Sequence, residues 1–358
     1  MNQNIKNINP VSALIFPVVL TTAVFVSCVL TACSPSEDKA SDKTASQTSV
    51  QENAQAEIAS TVDSVKQAFP YAFEKVAEDT WVIHGPRELP NPENKGFMNN
   101  PGIVITSAGL VMIDPGSTVQ VGEHVLEQVR KISDLPVVAV FNTHVHGDHW
   151  LANQAVKAAY PEVKIYGHPE MLHDIEKGEG ENWVNIMDTL TEGASKGTGV
   201  VAPDLAVDDS DIIKVGDTEF KIHHYGISHT TGDIMIEVVG RSVVFLGDNV
   251  TALRIPRTSD GQFQGNIATV SAMLESDIKT YVPGHGPTGD RTMVEDYLNY
   301  LVQVYAAAQK VFEENLDSSD VISITTETTA DYKDWYGYDE LLGPQGAQAY
   351  SEVEAAEF

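Results

Sequence analysis

Apolar residues recur along this chain in two rhythms, and each change of rhythm marks an element. Residues 80–84 alternate as a short strand, and 103–106 and 110–113 form a hairpin around Ser107-Ala108-Gly109. Apolar positions 121, 125, 126, 129 and 132 give an amphipathic helix over 119–132. The run 137–140 reads as a buried strand ending at Phe141 or Asn142, followed by a helix over 151–159 and a strand over 163–166. This is β-α-β order, with helices packed outside a sheet. Residues 167–200 are mostly polar and partly helical, broken at Gly178 and Gly180, and read as an insertion beside a pocket.

A second strand-rich half begins near Ala202. Hairpins over 211–225 and 234–246 lead to a long loop, 251–265, that carries Arg254 and Arg257, read as solvated charges, with binding of a substrate carboxylate or sulfonate as the alternative. A helix over 267–275, a strand over 280–282 and a long amphipathic helix over 293–314 follow. The tail after Leu316 is acidic and aromatic and ends in a helix from Ala347. Residues 61–76 read as weakly helical. Two strand-rich halves with helices outside predict an α/β (α+β) fold, a four-layer αββα sandwich over 61–358 with a C-terminal helical extension.

The first 60 residues belong to a different class. Lys6 is the one charge in residues 1–32, and an apolar run over 11–30 ends in Leu30-Thr31-Ala32-Cys33, which resembles the bacterial lipobox. The reading is a lipoprotein signal peptide over 1–32, with Cys33 as the lipidated N-terminus. Ser34 carries no aspartate-type retention signal, so the outer membrane is the expected anchor, with the protein facing the periplasm. Residues 33–60 are rich in Ser, Ala, Gln, Asp and Lys and read as a disordered tether. At about 5–6 Å per square root of residue number, it spans on the order of 30 Å.

Charge and cysteine narrow the chemistry. The 51 acidic residues against 22 basic ones give a formal charge of −29, and such a surface repels nucleic acid. The two cysteines are Cys28, inside the leader, and Cys33. The globular part therefore has neither a disulfide nor a thiolate metal ligand.

The candidate chemistry starts at the end of the 137–140 strand, in Phe141-Asn142-Thr143-His144-Val145-His146-Gly147-Asp148-His149-Trp150. Residues two apart in extended or tightly turned backbone point the same way, so His144 and His146 can share one metal. Gly147 permits a sharp bend, which lets Asp148 and His149 address a second point. Trp150 is expected to pack beneath the loop. His229 lies in a Gly-containing turn, Asp248 follows the strand 243–246, and His285 follows the strand 280–282. All three are expected at one sheet edge. His168, His223 and His224 lie nearer these ligands in sequence than His84, His124 and His173 do, and are weaker candidates.

On those residues the chain resembles the metallo-β-lactamase-fold hydrolase superfamily, through His-x-His-x-Asp-His at 144–149 and three later single ligands. The resemblance implies that His144, His146 and His229 bind one metal and that Asp148, His149 and His285 bind the second. Asp248 would bridge the two, and Asp114 in Asp114-Pro115-Gly116 would orient the ligand-bearing loop. It also implies that the loop 87–100 overhangs the site, with Phe97 and Met98 as candidate substrate contacts. Several true β-lactamases carry Cys or Ser where this chain has Asp248, so the resemblance leans to the glyoxalase II-like branch. The phrases His-Thr-Thr-Gly-Asp, Phe-Leu-Gly-Asp-Asn and Val-Pro-Gly-His-Gly-Pro are similar to periplasmic quinoprotein-relay and sulfur-oxidation-associated hydrolases.

The implied cofactor is a pair of zinc ions, with iron or manganese as alternatives. Two metals sharing a water lower its pKa from 15.7 toward about 7, and Asp148 is placed to orient that nucleophile and pass a proton. The expected activity is hydrolysis of a small-molecule ester, thioester or lactam-type substrate. The alternatives are a β-lactamase, a mononuclear-iron persulfide dioxygenase, and a non-catalytic metal-binding lipoprotein serving a periplasmic redox system.

Overall fold

The computed structural model describes residues 69–357. The leader, Cys33 and the tether lie outside them. In chain order the first half comprises β1 (Glu74–Ala77), β2 (Thr80–Val82), β3 (Gly102–Thr106), β4 (Gly109–Ile113), α1 (Val119–Val129) and β5 (Val137–Phe141). After these come the single turn α2 (Gly147–Trp150), α3 (Asn153–Ala159), β6 (Lys164–Gly167), α4 (Pro169–Asp174), α5 (Gly180–Leu190) and β7 (Leu205–Ala206). The second half comprises β8 (Ile212–Val215), β9 (Thr218–His223), β10 (Met235–Val238), β11 (Val243–Thr251), α6 (Phe263–Leu274), β12 (Thr280–His285), α7 (Arg291–Glu313), α8 (Asp320–Thr328) and α9 (Tyr338–Ala356).

Period-two burial sets the layers. In β4, Leu110 and Met112 pack with Val121, Val125 and Val129 of α1, while Val111 and Ile113 face the other sheet and meet Phe220 and Ile236. In β11, Val243 and Phe245 face inward, whereas Val244 and Leu246 pack against Val270 of α6 and Leu301 and Val304 of α7. Both central strands are thus apolar on two faces, as strands covered on each side must be. The result is an αββα sandwich of a seven-stranded sheet, β1 to β7 in order, and a five-stranded sheet in the order β12-β11-β10-β9-β8.

Parallel pairing places the site. β4, β5 and β6 run parallel, and β11 runs parallel to β12. The loops after β4 and β5 therefore leave one sheet at the same edge, and Asp248 and His285 lie near the corresponding ends of the other.

Several boundaries differ from the sequence reading. The weak helix expected over 61–76 is contradicted where it is described, because β1 occupies Glu74–Ala77. Its residues, Glu-Lys-Val-Ala, pair antiparallel with β2, and this cross-strand pairing outweighs the local helical tendency. β11 continues through Asp248 to Thr251, bending through irregular register against β12, so Asp248 sits inside the strand rather than at its end. The tail is more helical than expected. α9 begins nine residues before Ala347 and contains Pro344. Leu342, Ala349 and Val353 bury against the core beside Val321 of α8, and this burial outweighs the local breakers. Among the described residues no helix is long and apolar enough to cross a membrane.

Candidate metal centre

Asp114 ties the site together. It follows β4 with φ at +49° and is buried. Its Oδ1 accepts from the Thr143 backbone N–H at 2.8 Å, and its Oδ2 accepts from Thr143 Oγ1 at 2.7 Å. Oδ2 also lies 2.8 Å from His149 Nδ1. One carboxylate thus fixes both the start of the 144–149 loop and the imidazole at its end. α2 carries Asp148 and His149 side by side, and Trp150 packs beneath it, fully buried, with Nε1 donating to Val145 O at 2.7 Å. Gly147 acts by close approach rather than by an unusual bend, since a Cβ there would lie 2.7 Å from Trp183 Cβ.

Four of the five histidines, His144, His146, His149 and His285, have one nitrogen held by an outward partner, and that fixes which nitrogen faces the centre. A carboxylate only accepts, so His149 Nδ1 carries the proton toward Asp114 and Nε2 faces inward. His285 Nδ1 donates to Met98 O at 2.8 Å, which leaves its Nε2 free. His146 Nε2 lies 3.0 Å from Asp260 Oδ2, so its Nδ1 faces inward, 2.9 Å from His229 Nε2. Thr143 Oγ1 gives its proton to Asp114 and so accepts from His144 Nδ1 at 2.9 Å. His144 Nε2 is then a buried nitrogen with no partner.

These free atoms form three groups, each with its ligand atoms within 4.8 Å of one another: His144, His146 and His229; His144, His149 and Asp248; Asp148, His149 and His285. Asp248 Oδ2 lies 3.2 Å from His285 Nε2 and 3.6 Å from His229 Nε2, between the first and last groups. Asp148 Oδ2 lies 3.2 Å from His285 Nε2 and 3.4 Å from His149 Nε2. All seven residues are buried.

Electrostatics suit a cation. Burial and the neighbouring imidazoles push His144 well below its ordinary pKa, and burial takes His229 down to about 3. Burial alone would raise Asp148 and Asp248, but the adjacent His149 and His285 hold both well below the carboxylate range. His149 is raised, against its burial, because Asp148, Asp248 and Asp114 surround it, so the carboxylates demand positive charge at that point. A buried set of lone-pair nitrogens and ionised carboxylates, with one nitrogen left unpartnered, fits bound divalent metal. Nitrogen and oxygen donors of this kind suit Zn²⁺, Fe²⁺ and Mn²⁺ alike.

Other expectations need correction. Phe97 is fully buried in the core beside α1, Met98 is buried and accepts from His285 through its backbone carbonyl, and neither lines the cavity beside His146. His168 stacks on His224 with ring centroids 4.1 Å apart, and His223 pairs with Glu237 at 2.8 Å, all outside the three groups. Arg254, read as a solvated charge, is only 6% exposed. Sequence reasoning passed over Asp260, which holds His146, and gave no role to Asp233. The latter accepts from Thr230 N at 2.6 Å and Thr230 Oγ1 at 2.8 Å, and burial raises it to about 6. It also passed over Asn266, which accepts from Tyr297 OH and braces Ser228 and Asn249, next to His229 and Asp248. Their one signal is a carboxylate or amide in a loop or helix start near a ligand.

A family model described as the metallo-beta-lactamase superfamily matches residues 94–285, a span that contains all seven residues of the centre. The chain belongs to that superfamily. An uncharacterised protein of Aquifex aeolicus (strain VF5) is 30% identical over 145 residues, 40% of this chain and 60% of that protein. A linear primary-alkylsulfatase of Pseudomonas sp. (strain ATCC 19151) is 36% identical over 73 residues, 19% of this chain and 13% of the relative. The chain thus spans less than two thirds of either relative. Among solved structures, a metallo-beta-lactamase from Pontibacter korlensis superposes with a TM-score of 0.52 at 20% identity, covering 65% of this chain and 99% of its own. The sec-alkylsulfatase Pisa1 from Pseudomonas sp. gives 0.62 at 16% identity, covering 79% and 50%. At these identities the structures establish the shared fold.

Asp114→Ala is expected to weaken metal binding about 10–100-fold, the range for losing a group that orients a ligating imidazole. Competition against a chromogenic chelator measures it. An unchanged affinity would show that Asp114 does not orient the loop.

Proposed function

We propose that this protein is a dinuclear metal-dependent hydrolase of a small ester or thioester, with zinc as the working metal. The observation that carries the reading is the convergence of a three-histidine group and a second group of Asp148, His149 and His285 around Asp248, which lies between them. His144, His146 and His229 would hold one ion, Asp148, His149 and His285 the other, and Asp248 would reach both. Ions so held supply Lewis acidity toward a carbonyl oxygen and a nucleophilic water available near neutral pH.

The chain's own residues supply position and proton transfer. Asp148 stays ionised beside His149 and His285, so a carboxylate oxygen is available to orient the attacking water and take its proton. Asp114, Asp260, Thr143 and the Met98 carbonyl keep the imidazole planes fixed, so the reacting groups need not reorganise. A cavity of about 430 Å³ beside His146 is lined by Trp183, Ile186, Thr231 and Arg257, with Asp174, Glu179 and Asp260 also on its walls. The apolar faces of Trp183 and Ile186 suit a short alkyl or aryl group. Three carboxylates around that cavity favour an uncharged ester over an anionic one. A sulfate ester is the second reading, suggested by the alkylsulfatase relative and by Arg257 on the same wall.

The test is turnover of p-nitrophenyl butyrate, an aryl thioester, a chromogenic lactam and a primary alkyl sulfate by the zinc-loaded full chain. Carbonyl ester or thioester hydrolysis that stops with chelator and returns with zinc is expected. Asp148→Asn should lower kcat about 10²–10⁴-fold, the usual contribution of a positioned acid or base. Preferred turnover of the alkyl sulfate would select the second reading, and no turnover of any substrate by zinc-loaded protein would contradict both.

We also propose that Cys33 carries a lipid anchor that holds the enzyme at the outer membrane, facing the periplasm. The support is the sequence Leu30-Thr31-Ala32-Cys33 after an apolar run. Expressed in a bacterial host, the full chain should partition with membranes and incorporate labelled fatty acid. Cys33→Ala should abolish the label, and a label retained in that variant would contradict the anchor.

A further inference from the structure

A second cavity, of about 410 Å³, lies outside the metal centre where the C-terminal extension meets the loop after β11. The two segments are joined by backbone: Ile255 N donates to Tyr336 O at 2.9 Å, and Tyr336 N donates to Leu253 O at 3.0 Å. Leu89, Ile255 and Leu341 form apolar walls, and Tyr336, Arg254 and Arg257 complete the lining. Leu89 and the extension both lie outside residues 94–285, the span that matches the superfamily model.

Arg254 is the unusual element. A guanidinium carries five N–H donors, and the protein bond recorded for this one is from Nη1 to Arg87 O at 2.8 Å. It also lies over the face of Tyr336, 5.4 Å away, and the carboxylates whose charge reaches it are Asp248 and Asp148 of the centre. Among the described residues the arginine that forms an ion pair is Arg291, with Glu295, and Arg254 has none. Arg254 is only 6% exposed and has no carboxylate within ion-pair distance, so an anion beside it would be favourable. Arg257 adds a second guanidinium to the same lining. Glu340 also borders the cavity but is exposed, where water screens its charge.

We propose that this cavity binds a small organic anion, a carboxylate or sulfonate on a short alkyl or aryl body. Its head group would meet Arg254 and Arg257, and its body would lie against Leu89, Ile255 and Leu341. The proposal goes beyond the hydrolytic reading: none of the seven centre residues lines the cavity, and Arg257 alone borders both it and the cavity beside His146.

The test is isothermal titration of the full chain, zinc-loaded and chelator-stripped, with hexanesulfonate, hexanoate and hexanol. One-to-one binding of both anions is expected in both metal states, at least tenfold tighter than hexanol. Leu341→Trp, which fills the cavity, and Leu89→Asp, which puts a charged group on the wall meant for the apolar body, should each weaken the anions at least fivefold, with metal content unchanged. Arg254→Gln should erase the preference for anion over alcohol. Anion binding lost with the metal, or unaffected by both leucine variants, would overturn the proposal, as would equal affinity for hexanol and hexanoate. Hydrolysis without this binding would overturn the cavity proposal alone.

Discussion

The centre depends on imidazoles held so that their lone pairs meet. A neutral histidine has one donor and one acceptor nitrogen, and the outward partner decides which is which. Asp114 makes that choice for His149 directly and for His144 through Thr143. Asp260 makes it for His146 and the Met98 carbonyl for His285. The parallel pairs β4–β5 and β11–β12 bring these groups to one edge, so sheet topology and proton placement act together. Losing Asp114 would free two imidazoles and the Thr143 backbone in one step, and for that reason no other polar contact here has the same reach.

The same arrangement explains the charge of the site. Gathering Asp114, Asp148 and Asp248 in a buried space is unfavourable unless positive charge joins them. The raised pKa of His149 and the lowered values of Asp148 and Asp248 are two expressions of that demand. The superfamily match spans this centre, and the cavity walls come from other elements. α5 contributes Trp183, whose ring centroid lies 5.0 Å from that of His146, and the tail contributes Tyr336 and Leu341 to the neighbouring cavity.

What could be read from the sequence follows from how local each signal is. His144 to His149 lie within six positions, and strand-end geometry alone brings them together. His229, Asp248 and His285 were legible because each lies in a glycine-containing stretch that follows or interrupts a strand. Asp260 gave no such signal, since its contact with His146 spans 114 positions and depends on how the 251–265 loop folds back. Arg254 looked solvated because its cover comes from Tyr336 and the 87–90 loop, both distant in sequence. α9 was legible only at its end, because Gly343, Pro344 and Gly346 are local breakers. Packing against Val321 and Thr325 reverses their effect.

The central claim is that seven buried side chains form one centre for two metal ions. Elemental analysis of the purified full chain, beside His144→Ala and His285→Ala variants, tests it most directly. The account predicts about two zinc ions per chain, with His285→Ala retaining one and His144→Ala falling below two. A single metal in the parent chain that survives loss of His144 but not of an outlying residue would contradict it, as would a chain that takes up no metal on reconstitution.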